Sequence, residues 1–438
     1  MKSPDALLAA WEKTLARKGD APAIFDTRGK VQRTFCDIEN RARELAEGIA
    51  GPVYPIDIGN QPDWPSHLLA ALRRDVVALP LESSITPQQR EIALRICNQG
   101  DWNHRRTVLL KLTSGTTAAP RAIRFRSEQL LADCIQICDT MDIGGGDVNF
   151  AVIPLSHSYG FSNVVTPLLV RGMPMVLSRD RMPRAMLDDL AASGATVFPG
   201  MPVFYQAFCE MENPPALPKL RLCISAGAPL PLEVARKFRE KLGKSIHSFY
   251  GSSECGGICY DRKARLEEAG FVGAPMDGVK VEMLEPDAAA SRIRIQSAAA
   301  GDGYFPEPDG EKLGGGFFSP DDLLSGSGDG FRIVGRVSDV INVAGKKVNP
   351  AEVEAELLRF AGVREAVVFG RESVLRNEEV AACVAASVEI REAELLEFCR
   401  QRLSGWQVPK RIFFVEEIPV NERGKVNRRE LASRFARD

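Results

Sequence analysis

The sequence predicts an α/β protein: a large amino-terminal domain with parallel sheets covered by helices and a small β-rich subdomain, then a small α+β carboxy-terminal domain. Three observations carry that prediction. Between residues 150 and 249 short apolar runs alternate with amphipathic segments, and after residue 281 the composition shifts to Gly, Pro and Asp. From about residue 336 helix and strand patterns return in a compact stretch.

Segments 150–153, 175–177, 196–198, 220–225 and 246–249 read as strands, with 184–193 and 232–242 as helices between them. Repetition of strand, helix, strand implies a parallel sheet with both faces covered. Ligands of such sheets sit at the carboxyl ends of strands, where loops 156–159 and 251–257 would lie. The stretch 281–330, which includes Gly314, Gly315 and Gly316, reads as short strands and turns. Asn349, Pro350 and Glu352 make a helix start, Asn as cap and Pro at the first helical position. A helix at 351–360, strands at 366–369 and 380–387, a helix at 392–403 and a strand at 411–415 complete the second unit. The domains are therefore expected at 1–336 and 337–438.

The chain has 438 residues, with 56 Lys plus Arg against 58 Asp plus Glu, a formal net charge of −2. A near-neutral balance without long charged segments argues against nucleic acid or an anionic membrane as partner. The first residues, MKSPDALLAAWEK, lack the apolar core of a signal peptide, and no run of about 18 apolar residues occurs. A cytoplasmic protein without a membrane span is expected. Ten cysteines without a CxxC pair, and only four His, speak against zinc. Cys134 and Cys138 share a helical face with Leu130, Leu131 and Met141 and read as buried small hydrophobes.

Five passages carry chemistry. Residues 112–121, LTSGTTAAPR, follow the apolar run Val108, Leu109, Leu110, Leu112 with small hydroxylated residues, whose N–H and O–H groups can face one anion. Arg121 closes the passage with a charge that does not titrate. Residues 151–160, AVIPLSHSYG, put His157 and Tyr159 in a loop after a strand. Residues 248–257, SFYGSSECGG, offer Tyr250 for stacking on a base and Glu254 for a magnesium ion. Residues 317–354 combine an Asp pair, Arg336 and a Gly345-Lys346-Lys347 turn. Residues 418–431 place Lys425 after Gly424 in a polar loop. Neither a Walker A sequence nor GxGxxG occurs.

In order and spacing these passages resemble the adenylate-forming (AMP-binding) superfamily of acyl-CoA synthetases, peptide-synthetase adenylation domains and beetle luciferases. The resemblance covers about residues 109–431, and residues 1–108 are a shortened amino-terminal part. It implies a phosphate loop at Thr113, Ser114, Gly115, Thr116 and Thr117, with Ala118 where the family has Gly and Arg121 where it has Lys. It implies an adenine slot at Ala226, Gly227 and Ala228 with Tyr250, Gly251 and Ser253, and a magnesium site at Glu254 and Thr116. Asp322 and Arg336 match the ribose-binding pair, and Ser338 replaces the family's hinge Asp or Lys. Gly345 and Lys347 match the turn presented to the thiol acceptor. Lys425 matches the lysine that bridges carboxylate and α-phosphate, so Lys425, Glu254, Thr116 and His157 are the catalytic candidates. The small domain is expected to be mobile about the Val337–Ser338 link.

The resemblance implies an ATP-dependent acid–thiol ligase, closest to the acyl and aryl branch, with ATP, Mg2+ and CoA as substrates and cofactors. Ser156, Ser158, Ser162 and Asn163 offer no charge to pair with an α-ammonium, so the acid is expected not to be an amino acid but an aryl or fatty acyl one. Two alternatives stand beside it. One is a stand-alone enzyme that loads an acyl or aryl group onto the phosphopantetheine of an acyl carrier protein; the other is a catalytically weakened nucleotide-binding protein.

Overall fold

The computed structural model describes residues 5–102, 106–113, 121–180, 182–265, 268–343, 346–373, 377–419, 426 and 428–435. It divides into two compact units: 1–282 with 294–319 and 327–331, and 283–293 with 320–326 and 332–438.

In the first unit, strands Met175–Leu177, Asn149–Ala151, Val197–Gly200, Leu222–Ser225 and Ile246–Ser252 lie side by side in that order, all parallel. All of Val197–Gly200 and Leu222–Ser225 is buried, as continuous apolar runs in a doubly covered parallel sheet should be. Helix Leu232–Leu242 turns Val234, Ala235 and Phe238 inward, the one-turn spacing of an amphipathic helix. The sheet then continues antiparallel through Gly256–Tyr260 and Phe271–Pro275, which periodicity alone did not reveal. The carboxyl ends of the parallel strands share one edge. There the chain leaves Ala151 for the His157 loop, Ser225 for Ala226 and Gly227, and Ser252 for Glu254.

A second sheet of the same unit runs Val53–Ile56, Val77–Pro80, Leu109–Leu112, Ala122–Phe125 and Gly303–Phe305. Its first three strands are parallel, and the last two join antiparallel. Residues 1–108, for which the sequence predicts no elements, thus supply parallel strands next to the strand that leads into the predicted phosphate loop.

In the second unit, Val363–Ser373 and Asn377–Ala386 form a long antiparallel pair, and Arg411–Val415 joins parallel. Successive strand residues point to opposite faces. Val380, Ala382 and Val384 accordingly pack with Val353, Leu357, Leu395 and Cys399. Ala381, Cys383 and Ala385 pack with Ile418 and Leu431 on the other face. Asn349 caps helix Pro350–Leu357 by accepting the Ala351 N–H at 3.2 Å, as its sequence predicts. That helix ends earlier than residue 360, and helix Glu392–Arg400 ends before residue 403. Among the described residues no helix is long and apolar enough to cross a membrane.

Candidate active site

The phosphate passage is the connection of a hairpin. Leu112 pairs with Ala122, and the Arg121 carbonyl accepts both the Thr113 N–H at 2.8 Å and the Thr113 hydroxyl at 3.2 Å. The two ends of the loop are thereby pinned together. Ser114, Gly115, Thr116, Thr117 and Ala118 lie outside the described residues. The Arg121 guanidinium lies 4.1 Å from the centre of the Tyr304 ring, within the range of a cation–π contact, and donates to the Glu307 carbonyl at 3.2 Å. Its buried Nε has no hydrogen-bond partner among the described residues.

Tyr304 links this cation to the predicted metal-side acid. Its strand pairs with Ala122–Phe125, and its hydroxyl donates to Glu254 Oε1 at 3.1 Å. Burial pushes the Glu254 carboxyl above its ordinary value, opposed by hydrogen bonds that include Tyr304. Burial and the neighbouring Glu254 likewise keep the Tyr304 phenol protonated. One short chain of contacts thus runs from Arg121 to Glu254, and the sequence reading omitted its middle member.

The His157 loop meets the Glu254 loop through Ser158 and Ser253, whose hydroxyl oxygens are 2.9 Å apart. His157 Nδ1 accepts the Tyr159 N–H at 3.2 Å, a local cap that fixes the ring's tautomer. The Tyr159 hydroxyl is buried against the carbonyls of Gly200 and Ile224 at 3.2 and 3.3 Å. Its ring packs 5.9 Å from Phe249, and Tyr250 is buried beside Gly251, which is exposed. Phe161–Val165 then forms a π-helical turn, a distortion frequent at functional sites.

In the predicted adenine slot, Ala226 is buried, Ala228 half-buried and Gly227 exposed. Gly227 has a φ of 88°, a conformation that a side chain would strain. The hydroxyl of the preceding Ser225 is buried without a partner among the described residues.

Behind the two loops lie two charged groups that the motifs do not predict. Lys111 interrupts the apolar strand Leu109–Leu112 yet is only 6% exposed. Its ammonium lies 4.7 and 5.1 Å from the ring centres of Phe125 and Phe161. Burial lowers its pKa, opposed by the charges of Asp133, Glu254 and Cys255. Asp133 is an acid on the apolar face of helix Ser127–Thr140, beside buried Leu130, Cys134 and Ile137. Its Oδ2 accepts the Ser162 hydroxyl at 2.5 Å and its Oδ1 the Gly257 N–H at 3.0 Å. Burial raises this carboxyl, and Lys111 opposes the rise. Both residues were legible as charges inside apolar patterns.

The remaining predicted residues belong to the second unit. Asp322 and Arg336 are joined, Nε to Oδ1, at 2.8 Å, and the Asp321 carbonyl accepts the Val337 N–H at 2.7 Å. Lys347 lies in strand Lys346–Val348. Gly345 and Lys425 lie outside the described residues.

With this geometry in view, the chain matches two family models: AMP-binding enzyme over residues 98–294 and AMP-binding enzyme C-terminal domain over residues 352–425. It is 29% identical to a feruloyl-CoA synthase of Amycolatopsis, over 75% of this chain and 70% of that one. It is also 29% identical to a 3,4-dihydroxybenzoate–aryl-carrier-protein ligase of Bacillus anthracis, over 74% and 73%. The crystal structure of ATP-bound MatB from Rhodopseudomonas palustris shares the fold, with a TM-score of 0.85 at 23% identity over 98% of this chain and 99% of that one. The chain therefore belongs to the AMP-binding enzymes, ligases that form an acyl-adenylate and then a thioester.

Proposed function

We propose that this enzyme uses ATP to adenylate an aryl or fatty acyl carboxylic acid, not an amino acid, and passes the acyl group to CoA. The observation that carries this reading is the contact chain from Arg121 through Tyr304 to Glu254. It puts a cation and a desolvated carboxyl at the edge where the phosphate-loop hairpin ends.

A carboxylate is a poor electrophile, and ATP converts it into a mixed anhydride. An oxygen of the acid forms a bond to the α-phosphorus as the bond from that phosphorus to the bridging oxygen breaks, and pyrophosphate leaves. The step brings two anions together, so fixed cations supply much of the catalysis. Lys425 takes the role of bridging carboxylate and α-phosphate, and Arg121 adds charge beside the loop Thr113–Arg121. Asp322 and Arg336 are read as the ribose contacts, and Tyr250 with Ala226, Gly227 and Ala228 as the adenine contacts. His157 and Tyr159 line the acid side. The thiol then attacks the carbonyl carbon and AMP departs, with domain 337–438 rotating about Val337 and Ser338 to withdraw Lys425 and present Gly345 and Lys347.

Glu254 suits magnesium. Burial raises its carboxyl, a nearby dication would favour the charged form, and magnesium binds through one or two carboxylates plus substrate phosphates. Bound there with Thr116, it would draw charge from the phosphate oxygens. The absence of charge at Ser156, Ser158, Ser162 and Asn163 supports a non-amino acid. Asp133 does not reverse this, because the charge of Lys111 beside it would repel an ammonium.

The carrier-protein relative favours a second acceptor, a carrier phosphopantetheine. ATP and either thiol are cytoplasmic, and the enzyme is read as working there. Incubation with ATP, magnesium, an acid and either CoA or a phosphopantetheinylated carrier protein, followed by mass spectrometry, tests the choice. Acyl-CoA with stoichiometric AMP is expected; acylation of the carrier alone would replace CoA by the second acceptor.

A further inference from the structure

Lys111, Asp133 and Ser162 are respectively 6%, 5% and 3% exposed, and they come from three different elements of the first unit. Burying a charge is costly unless it is paired, yet Lys111 makes no ion pair within 4.0 Å among the described residues. Its ammonium rests against two aromatic rings, with the carboxyls of Asp133 and Glu254 as its Coulombic neighbours. Asp133 in turn ties the two loops of the acid side together. Ser162 follows the His157 loop, and Gly257 follows Glu254. The approach is close: a Cβ on Gly256 would fall 1.9 Å from Asp133 Oδ1, and Gly256 has a φ of 69°. A larger residue there would push the carboxyl away from the Gly257 N–H.

We infer that Lys111, Asp133 and Ser162 form a polar wall of the acid-binding site that recognises a hydroxyl group on the acid, separate from the carboxylate that is activated. This rests on the acid-adenylating reading above. The chemistry of the pair selects the group. A second carboxylate would be attracted by Lys111 but repelled by Asp133, and an ammonium the reverse. A hydroxyl satisfies both, because it accepts a hydrogen bond from the lysine and donates one to the aspartate. A purely apolar acid would leave the lysine unpartnered in the same dry site, which is how a site built around a hydroxyl rejects the analogue that lacks it.

The test is ATP–pyrophosphate exchange by the full chain with acids in matched pairs: each monohydroxybenzoate against benzoate, hydroxycinnamates against cinnamate, and ω-hydroxy short-chain acids against their parents. At least one hydroxylated acid should exceed its parent in kcat/KM by roughly ten- to a hundred-fold, the scale of one buried hydrogen-bonding group. In Lys111→Met and Asp133→Asn that ratio should fall to within about threefold, since the difference measured by the cycle is the hydroxyl's own contact. Ser162→Ala, a milder change, should lower the ratio by less, and its thermal unfolding would verify the fold. Parents used as well as, or better than, every hydroxylated partner by the wild-type enzyme would overturn the inference and leave the ligase reading intact. A ratio unchanged in both Lys111→Met and Asp133→Asn would overturn it as well. Exchange with no acid of either kind would overturn the ligase reading and this inference together.

Discussion

Glu254 and Asp322 are both acids near strand ends, each predicted to touch the nucleotide, yet their surroundings differ. Glu254 is desolvated and accepts a hydrogen bond from a neutral phenol, and burial raises its pKa against the opposing pull of Tyr304 and Lys312. Asp322 is held by an arginine whose side chain is 54% exposed. Burial disfavours the charge of the first carboxyl, and a metal ion bound with ATP would favour it. The second already shares an ion pair with water at its edge, and such a pair contributes little to stability. The lesson is that a motif names the residue type, whereas burial decides whether that residue waits for a counter-ion.

The largest effect expected separates chemistry from folding altogether. Lys425→Ala should lower the pyrophosphate-exchange rate by about 10²–10³, the usual loss when one group stabilising developing charge is removed. Its thermal unfolding should stay close to that of the parent.

Glu254→Gln should lower exchange by roughly 10-fold or more, and its stability sharpens the contrast with Asp322. The Glu254 carboxyl, ordinarily near 4.5, is raised in the fold, so the native state holds its proton more tightly than the unfolded chain does. Below 4.5 the residue makes no difference to stability through its charge. As pH climbs through the raised value the unliganded wild type loses stability that the Gln variant keeps. Thermal unfolding from pH 4 to 8 without nucleotide should therefore show the variant's advantage growing with pH, and added ATP with magnesium should favour the wild type. A parallel pair of curves would remove the distinction between the two acids.

Smaller effects follow at the exposed pair and the phenol. Arg336→Ala should raise the KM for ATP by about tenfold, equivalent to about 1.4 kcal/mol, with unfolding changed by less than about 1 kcal/mol. Tyr304→Phe removes one hydrogen bond to Glu254 and should cost about 1 kcal/mol in stability, with a few-fold loss in exchange.

Much of the fold was legible because apolar periodicity reflects local burial. Strands Met175–Leu177 and Arg411–Val415 and helix Leu232–Leu242 occupy the residues that the pattern marks. Helix ends were less so. Phe360 and Leu403 still pack on the second unit's core although their helices stop at Leu357 and Arg400, so the apolar pattern outlasts the helical backbone. The antiparallel extension of the main sheet was hidden because pairing partners are set by distant segments. Tyr304 was missed for the same reason: 50 residues separate it from Glu254, and only the pairing of Gly303–Phe305 with Ala122–Phe125 brings it to Arg121. Lys111 and Asp133 could have been found, since each breaks an apolar pattern where a solvated charge has no place. At Gly257, beyond the Glu254 loop, a Cβ would run into Met276 and press on Phe249 and Ile137, a crowding set by distant segments.

The measurement that bears most directly on the central claim is ATP–pyrophosphate exchange with and without a carboxylic acid, using aromatic, short, medium and long acids and magnesium. The account predicts exchange that depends on at least one acid and is lost in Lys425→Ala. Tight ATP binding with no acid-dependent exchange across the whole set would contradict it.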